Sequence, residues 1–146
     1  MKRLYLSSHN QGKNIMKFIL NPDLICQAAD VLTKQCHSLA ASSGWWTDLK
    51  TGEDLSGKKN IPELLCLIHS EISEAMEGHR KGLMDDKLPH RKMVEVELAD
   101  AVIRCLDLAG ALGLDIAGAM AEKMQYNAQR EDHKIEHRRK PGGKAF

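Results

Sequence analysis

The apolar positions of this chain recur at helical spacing over four stretches separated by polar or turn-forming segments. Leu24, Ile25, Ala28, Val31, Leu32, Cys36 and Leu39 form the first series. Asn21, Pro22 and Asp23 predict its start as N-cap, first helical residue and first-turn acid, and Ser42-Ser43-Gly44 predicts its end. Pro62 and Glu63 open a second helix that runs to about Lys81. A third is expected from roughly Lys92 to Leu112. After the turn at Gly113-Leu114-Asp115, a fourth reaches about Arg130. No strand-like alternation of useful length and no repeat occurs. The tail around Pro141-Gly142-Gly143 reads as irregular. The pattern predicts an all-α domain whose second and third helices pair antiparallel.

The carboxylates break this pattern. On the second helix Leu64, Leu65, Ile68, Ile72, Ala75 and Met76 share a broad apolar face. Glu71 borders that face, Glu74 lies further round, and Glu77 falls opposite it, where water is expected. The third helix is apolar on most sides and is therefore expected to be buried on most sides. Glu97, Asp100, Arg104 and Asp107 fall in a strip about 80° wide along it. Buried carboxylates are costly unless paired or bound to a metal. The bland reading makes both pairs ordinary surface acids, with Arg104 as a local ion-pair partner. Antiparallel pairing would instead gather Glu71, Glu74, Glu97 and Asp100 into one hard-oxygen site, suited to Mg2+, with Mn2+ as a substitute. A ferritin-like di-iron site needs Glu-x-x-His motifs, and no glutamate here has a histidine three residues on.

Composition narrows the classes further. With 146 residues the chain suits one modest core, and 4% aromatics favours helices over a β-sandwich. A net charge of +1 gives no sign of a nucleic-acid binder, although HKIEHRRKPGGK near the end is basic. Cys26, Cys36, Cys66 and Cys105 form no CxxC pair and read as buried reduced thiols. No apolar run reaches transmembrane length, and no secretory signal is recognisable, so a cytoplasmic protein is expected. Residues 1–16 read as a flexible leader, with Met16 as an alternative start, and 17–146 as the domain.

Cations and aromatics suggest what a metal would act on. Lys123, Asn127 and Arg130 follow one another at i, i+4, i+7 on the fourth helix and suit the phosphates of a polyphosphate. Their bland reading is a solvated face. His79, Arg80 and Lys81 either add to this field or complement the end of the second helix, and Lys144 is a further candidate. Residues 44–60 form a connection too long to be idle, carrying Trp45 and Trp46. A tryptophan there either caps the core or stacks on a base. Trp46 is the stacking candidate, Trp45 its rival, and His37 a candidate contact to the base edge.

EISE at 71–74 and VELAD at 96–100 resemble the ExxE…ExxD signature of the all-α nucleoside triphosphate pyrophosphohydrolases, the MazG-like group. KMQYNAQR at 123–130 and the closing GGKAF are similar to the end of its smaller members, so the likeness spans about residues 22–146. One departure is Ser70, where many of that group carry a second glutamate next to the first. The resemblance implies a four-to-five-helix antiparallel bundle that assembles as a homodimer or homotetramer. It implies Mg2+-dependent cleavage of a nucleoside triphosphate to the monophosphate and pyrophosphate, as in a housekeeping enzyme of the nucleotide pool. A deoxynucleotide such as dCTP is a candidate substrate, and neither nucleic acid nor membrane is expected as a partner. Glu71, Glu74, Glu97 and Asp100 would hold the metal, with Glu74 also the catalytic base. Lys123, Asn127 and Arg130 would hold phosphates. The rival readings are a non-catalytic helical interaction module, or the same chemistry on phosphoribosyl-ATP or a nucleoside diphosphate.

Overall fold

The computed structural model describes residues 20–144, so the leader expected at 1–16 lies outside the described residues. Its helices are α1 Pro22–Ser42, α2 Ile61–Lys81, α3 Met93–Ala111, α4 Ile116–Gln129 and the single turn α5 Ile135–Arg138. A 3-10 turn at Glu131–His133 links the last two. The tail is thus not wholly irregular. The chain is all-helical, with two isolated β-bridges, Thr47 to Asp54 and Met84 to Lys92, among the described residues. No helix among them is long and apolar enough to cross a membrane.

Local chemistry explains the helix ends. The Asn21 side chain accepts the Leu24 N–H at 3.1 Å, Pro22 needs no partner for an N–H it lacks, and Asp115 caps α4 by accepting from Gly118 at 2.8 Å. α2 ends at Gly82, whose φ of 65° suits a residue without a Cβ. Its last turn carries His79, Arg80 and Lys81, of which Arg80 and Lys81 close on Glu77.

α3 is the central element. α2 packs along it, and α1 packs on both α3 and α4. The pairing of α2 with α3 is antiparallel. A Cβ on Gly78 would sit 2.8 Å from Met93 Cβ at one end, and Glu71 meets Arg104 at the other. Gly110 likewise lets α1 approach, because a Cβ there would lie 2.6 Å from His37 Cβ. The contacts are made largely by small residues: Ala29, Ala75, Ala101, Ala109, Ala117 and Ala121 are buried, with Leu106 and Leu108.

Two expectations need correcting at this point. α3 is not buried on most sides, since Leu98, Val102 and Ile103 are exposed, as are Ile72 and Met76 of α2. Close helix contacts through alanine leave the larger apolar residues outside this single-layer packing. The cysteines are all free, yet none is fully buried: Cys26 and Cys36 are half-buried, and Cys66 and Cys105 are exposed.

Candidate metal centre

The antiparallel register puts EISE of α2 against VELAD of α3. Glu71 is only 7% exposed and Glu97 only 8%. Each of Glu71, Glu97 and Asp100 offers a carboxylate oxygen, and these oxygens lie within 4.8 Å of one another. They line a cleft of about 480 Å³ together with Glu74, Asp85, Asp86, Lys87, Leu88, Val96 and Arg104. Glu74 stands exposed at its rim, outside the close trio.

Crowded negative charge in a half-dry cleft resists ionisation. Burial pushes the Glu97 carboxyl up to about 7, helped by its hydrogen bond to Glu71 and by the charges of Glu74, Glu71 and Asp100. Burial also raises Asp100, reinforced by Glu71 and Asp85 and opposed by Arg104. Among the described residues one cation reaches the trio itself: Arg104 Nε lies 2.8 Å from Glu71 Oε1. The donors are all oxygen, clustered and short of positive charge, which fits a hard divalent cation such as Mg2+ or Mn2+.

Asp85 was legible only as part of a loop. It is 6% exposed, and its Oδ1 accepts the backbone N–H groups of Lys87 at 3.0 Å and Leu88 at 2.5 Å. This ties the loop over one side of the cleft and brings Lys87 to its lining, where the Lys87 ammonium pairs with Asp86 at 2.5 Å. An aspartate ahead of a polar turn and Pro89 is the signal for such a loop-closing side chain.

The charged strip on α3 divides. Asp107 belongs to a different constellation, in which its Oδ1 accepts from Trp46 Nε1 at 2.8 Å and lies 2.9 Å from His37 Nδ1. The two rings meet edge-on at 5.9 Å, and Lys59 sits over the Trp46 ring at 4.9 Å. Trp46 is 5% exposed and anchors the 44–60 loop, whereas Trp45 is 68% exposed. A cavity of about 50 Å³ borders Trp46, Leu64, Ile68, Arg104, Asp107 and Leu108. It is too small for a nucleobase. Arg104 therefore stands between this cavity and the acidic cleft.

The cations expected on α4 lie elsewhere in one chain. α4 packs on α1, and Lys123, Asn127 and Arg130 are not among the cleft's lining residues. Lys123 lies over the Tyr126 ring at 4.9 Å, and Arg130, just past the helix end, grips Asp132 at 2.9 and 2.6 Å. Asn127 Oδ1 is buried without a hydrogen-bond partner. Lys144 is 3.8 Å from Asp132, beside the same tail. Glu77, expected in water, is half-buried and held below the usual carboxylate range by Lys81 and Arg80.

Comparison with protein-family models, with curated proteins and with solved structures finds no match to this chain.

Proposed function

We propose that the chain is a Mg2+-dependent nucleoside triphosphate pyrophosphohydrolase of the MazG-like kind, releasing pyrophosphate and a nucleoside monophosphate. The observation that carries this reading is the carboxylate trio Glu71, Glu97 and Asp100 in an open cleft, with Glu97 pushed up to about 7 by burial and by its carboxylate neighbours. These three residues would hold the ion, with Glu74 at the rim. Bound there, a divalent cation supplies charge neutralisation for phosphate and a more acidic water. Glu74, exposed to solvent on the lining of the same cleft, would take the proton of an attacking water. Base recognition is assigned to the 44–60 loop through Trp45, since Trp46, the first stacking candidate, is buried. Trp45 presents an open ring, while Trp46 and His37 are held by Asp107.

The reading includes a homodimer or homotetramer. Its support is the row of exposed apolar residues on α2 and α3, including Ile72, Met76, Leu98 and Val102, which a second copy would cover. In such an assembly Lys123, Asn127 and Arg130 serve the cleft of a neighbouring subunit. The same apolar surface favours the rival reading, a helical interaction module without catalysis.

One assay separates the two. The protein is incubated with a panel of nucleoside triphosphates and MgCl2, and pyrophosphate is measured. Release that stops on chelation supports the enzyme. No release from any common or modified nucleotide favours the module. Release from phosphoribosyl-ATP, or phosphate from a nucleoside diphosphate, keeps the chemistry and changes the substrate.

A further inference from the structure

Among the described residues Arg104 is the one cationic side chain paired with the carboxylate trio, and the sequence offered it as a local ion-pair partner of the acids. It follows Glu97 by two turns and Asp100 by one on α3, so it points to the same side of the helix. Its guanidinium lies 2.8 Å from Glu71 Oε1. The two partners differ in freedom: the Glu71 side chain is 9% exposed, while that of Arg104 is 47% exposed. The carboxylate is fixed between helices, and the arginine reaches it from the solvent edge. An arginine side chain with about half its surface in water is free to swing away once a metal ion takes over the neutralisation of the buried Glu71. Its departure point is the lining of the cleft where a polyphosphate would lie, and planar guanidinium is well matched to phosphate oxygens.

We propose that Arg104 occupies Glu71 in place of the metal while the site is empty, and turns to the substrate's phosphate when the metal takes that carboxylate. This rests on the metal reading of the trio. The residue is a binding and positioning group with two alternating partners. It gives each chain a phosphate-binding cation of its own, independent of α4. It also keeps the buried Glu71 charge compensated in the metal-free protein.

The test uses the full chain, Mn2+ and inorganic pyrophosphate. Mn2+ binding is followed by electron paramagnetic resonance, and pyrophosphate binding at saturating Mn2+ by calorimetry. Arg104→Gln removes a competitor for Glu71, so Mn2+ should bind about tenfold tighter. The same variant should bind pyrophosphate about tenfold more weakly. A purely structural arginine predicts the opposite sign for the metal, since loosening Glu71 weakens its binding. Unchanged or weaker Mn2+ binding by Arg104→Gln, or unchanged pyrophosphate binding, overturns the proposal and leaves the metal reading standing. If the wild-type protein binds no Mn2+, both fall together. Should Arg104→Gln not fold, the wild-type protein still decides. The Arg104 Nε–H resonance, assigned with Arg104→Lys, should shift when Mg2+ is added and again with pyrophosphate. A resonance indifferent to Mg2+ overturns the proposal.

Discussion

Two charged regions of this molecule solve opposite electrostatic problems. Around the end of α4 and the tail, cations and anions pair off locally. Arg130 grips Asp132, Lys134 and His137 meet Glu131, and Lys144 approaches Asp132. Asp132 and Glu131 are held below the usual carboxylate range, chiefly by hydrogen bonds from Arg130 and Lys134. Between α2 and α3 the charges do not cancel. Three carboxylates face one arginine, and two of them, Glu97 and Asp100, sit above their ordinary values. A paired exposed network contributes little and asks for nothing. An unbalanced cluster against a half-dry cleft is a cost to the fold, and binding of a cation removes it. The contrast, more than the number of charges, makes the α2–α3 cleft the candidate site.

The strongest way to break this comparison is Glu97→Gln. If the cleft is the metal centre, pyrophosphate release should fall at least about a hundredfold, as expected when a metal ligand loses its charge. The helical circular-dichroism signal should survive, since the amide fills the same space. Near-normal turnover would remove Glu97 from the site.

The next test asks whether the α4 region serves a cleft across a subunit interface. Lys123→Ala should lower pyrophosphate release by about tenfold if its charge meets phosphate in the assembly. Lys123→Ala and Glu97→Gln chains, unfolded together and refolded as a mixture, should regain roughly a quarter of wild-type activity in a randomly assorted dimer whose sites draw on both chains. Failure of the mixture to exceed its separate components would confine α4 to its own chain.

A smaller effect is expected at the boundary between the cleft and the tryptophan loop. Asp107→Ala strips the acceptor from both Trp46 Nε1 and His37. Leaving such donors without partners should cost about 1–3 kcal/mol in urea unfolding. Asp107→Asn, which keeps an acceptor oxygen, should recover much of the loss. Equal stability of all three proteins would deny that Asp107 anchors the loop.

The helices and the acidic pairing were legible because both rest on local rules. The cap at Asn21 and the prolines at first turns are read within a few residues, and a short α2–α3 connection implies antiparallel pairing. Periodicity alone then brings Glu71 near Glu97 and Asp100. It does not say which face of an apolar helix is covered. The wheel of α3 is apolar nearly all round, yet alanines make the contacts and Val102 and Ile103 stay outside. Nor does it say where a loop side chain folds back, which is why Asp85 and the Asp107–Trp46 bond escaped notice. The place of α4 escaped for the same reason. Sharing a face on one helix puts Lys123, Asn127 and Arg130 near each other, not near α2 and α3. The proposal of a MazG-like activity rests on the motifs and the cleft together.

The smallest expected effect is also the one that tests the comparison in both regions at once. Glu97 ordinarily titrates near 4.5 and is pushed up to about 7 in the fold. Between those values the folded protein holds more protons than the unfolded one, so stability falls as pH rises through that window. The contribution is complete below about 4.5 and gone above about 7. Asp132 and Glu131 are shifted the other way, so theirs is present above their ordinary values and lost as pH falls through the lowered ones. Thermal melts of the metal-free protein should therefore show a maximum near pH 4.5–5, followed by a decline of about 2 °C toward pH 7, modest because water reaches the cleft. Mg2+ should flatten the decline, and Glu97→Gln should erase most of it, leaving the remainder to Asp100. Neither should alter the acid side, which the tail shares with the lowered carboxylates Asp48, Asp54, Glu77 and Asp86. A melting temperature that climbs from pH 5 to pH 7 in the metal-free protein would mean that the α2–α3 carboxylates are as well compensated as those beside α4, and the cleft would lose its claim to a cation.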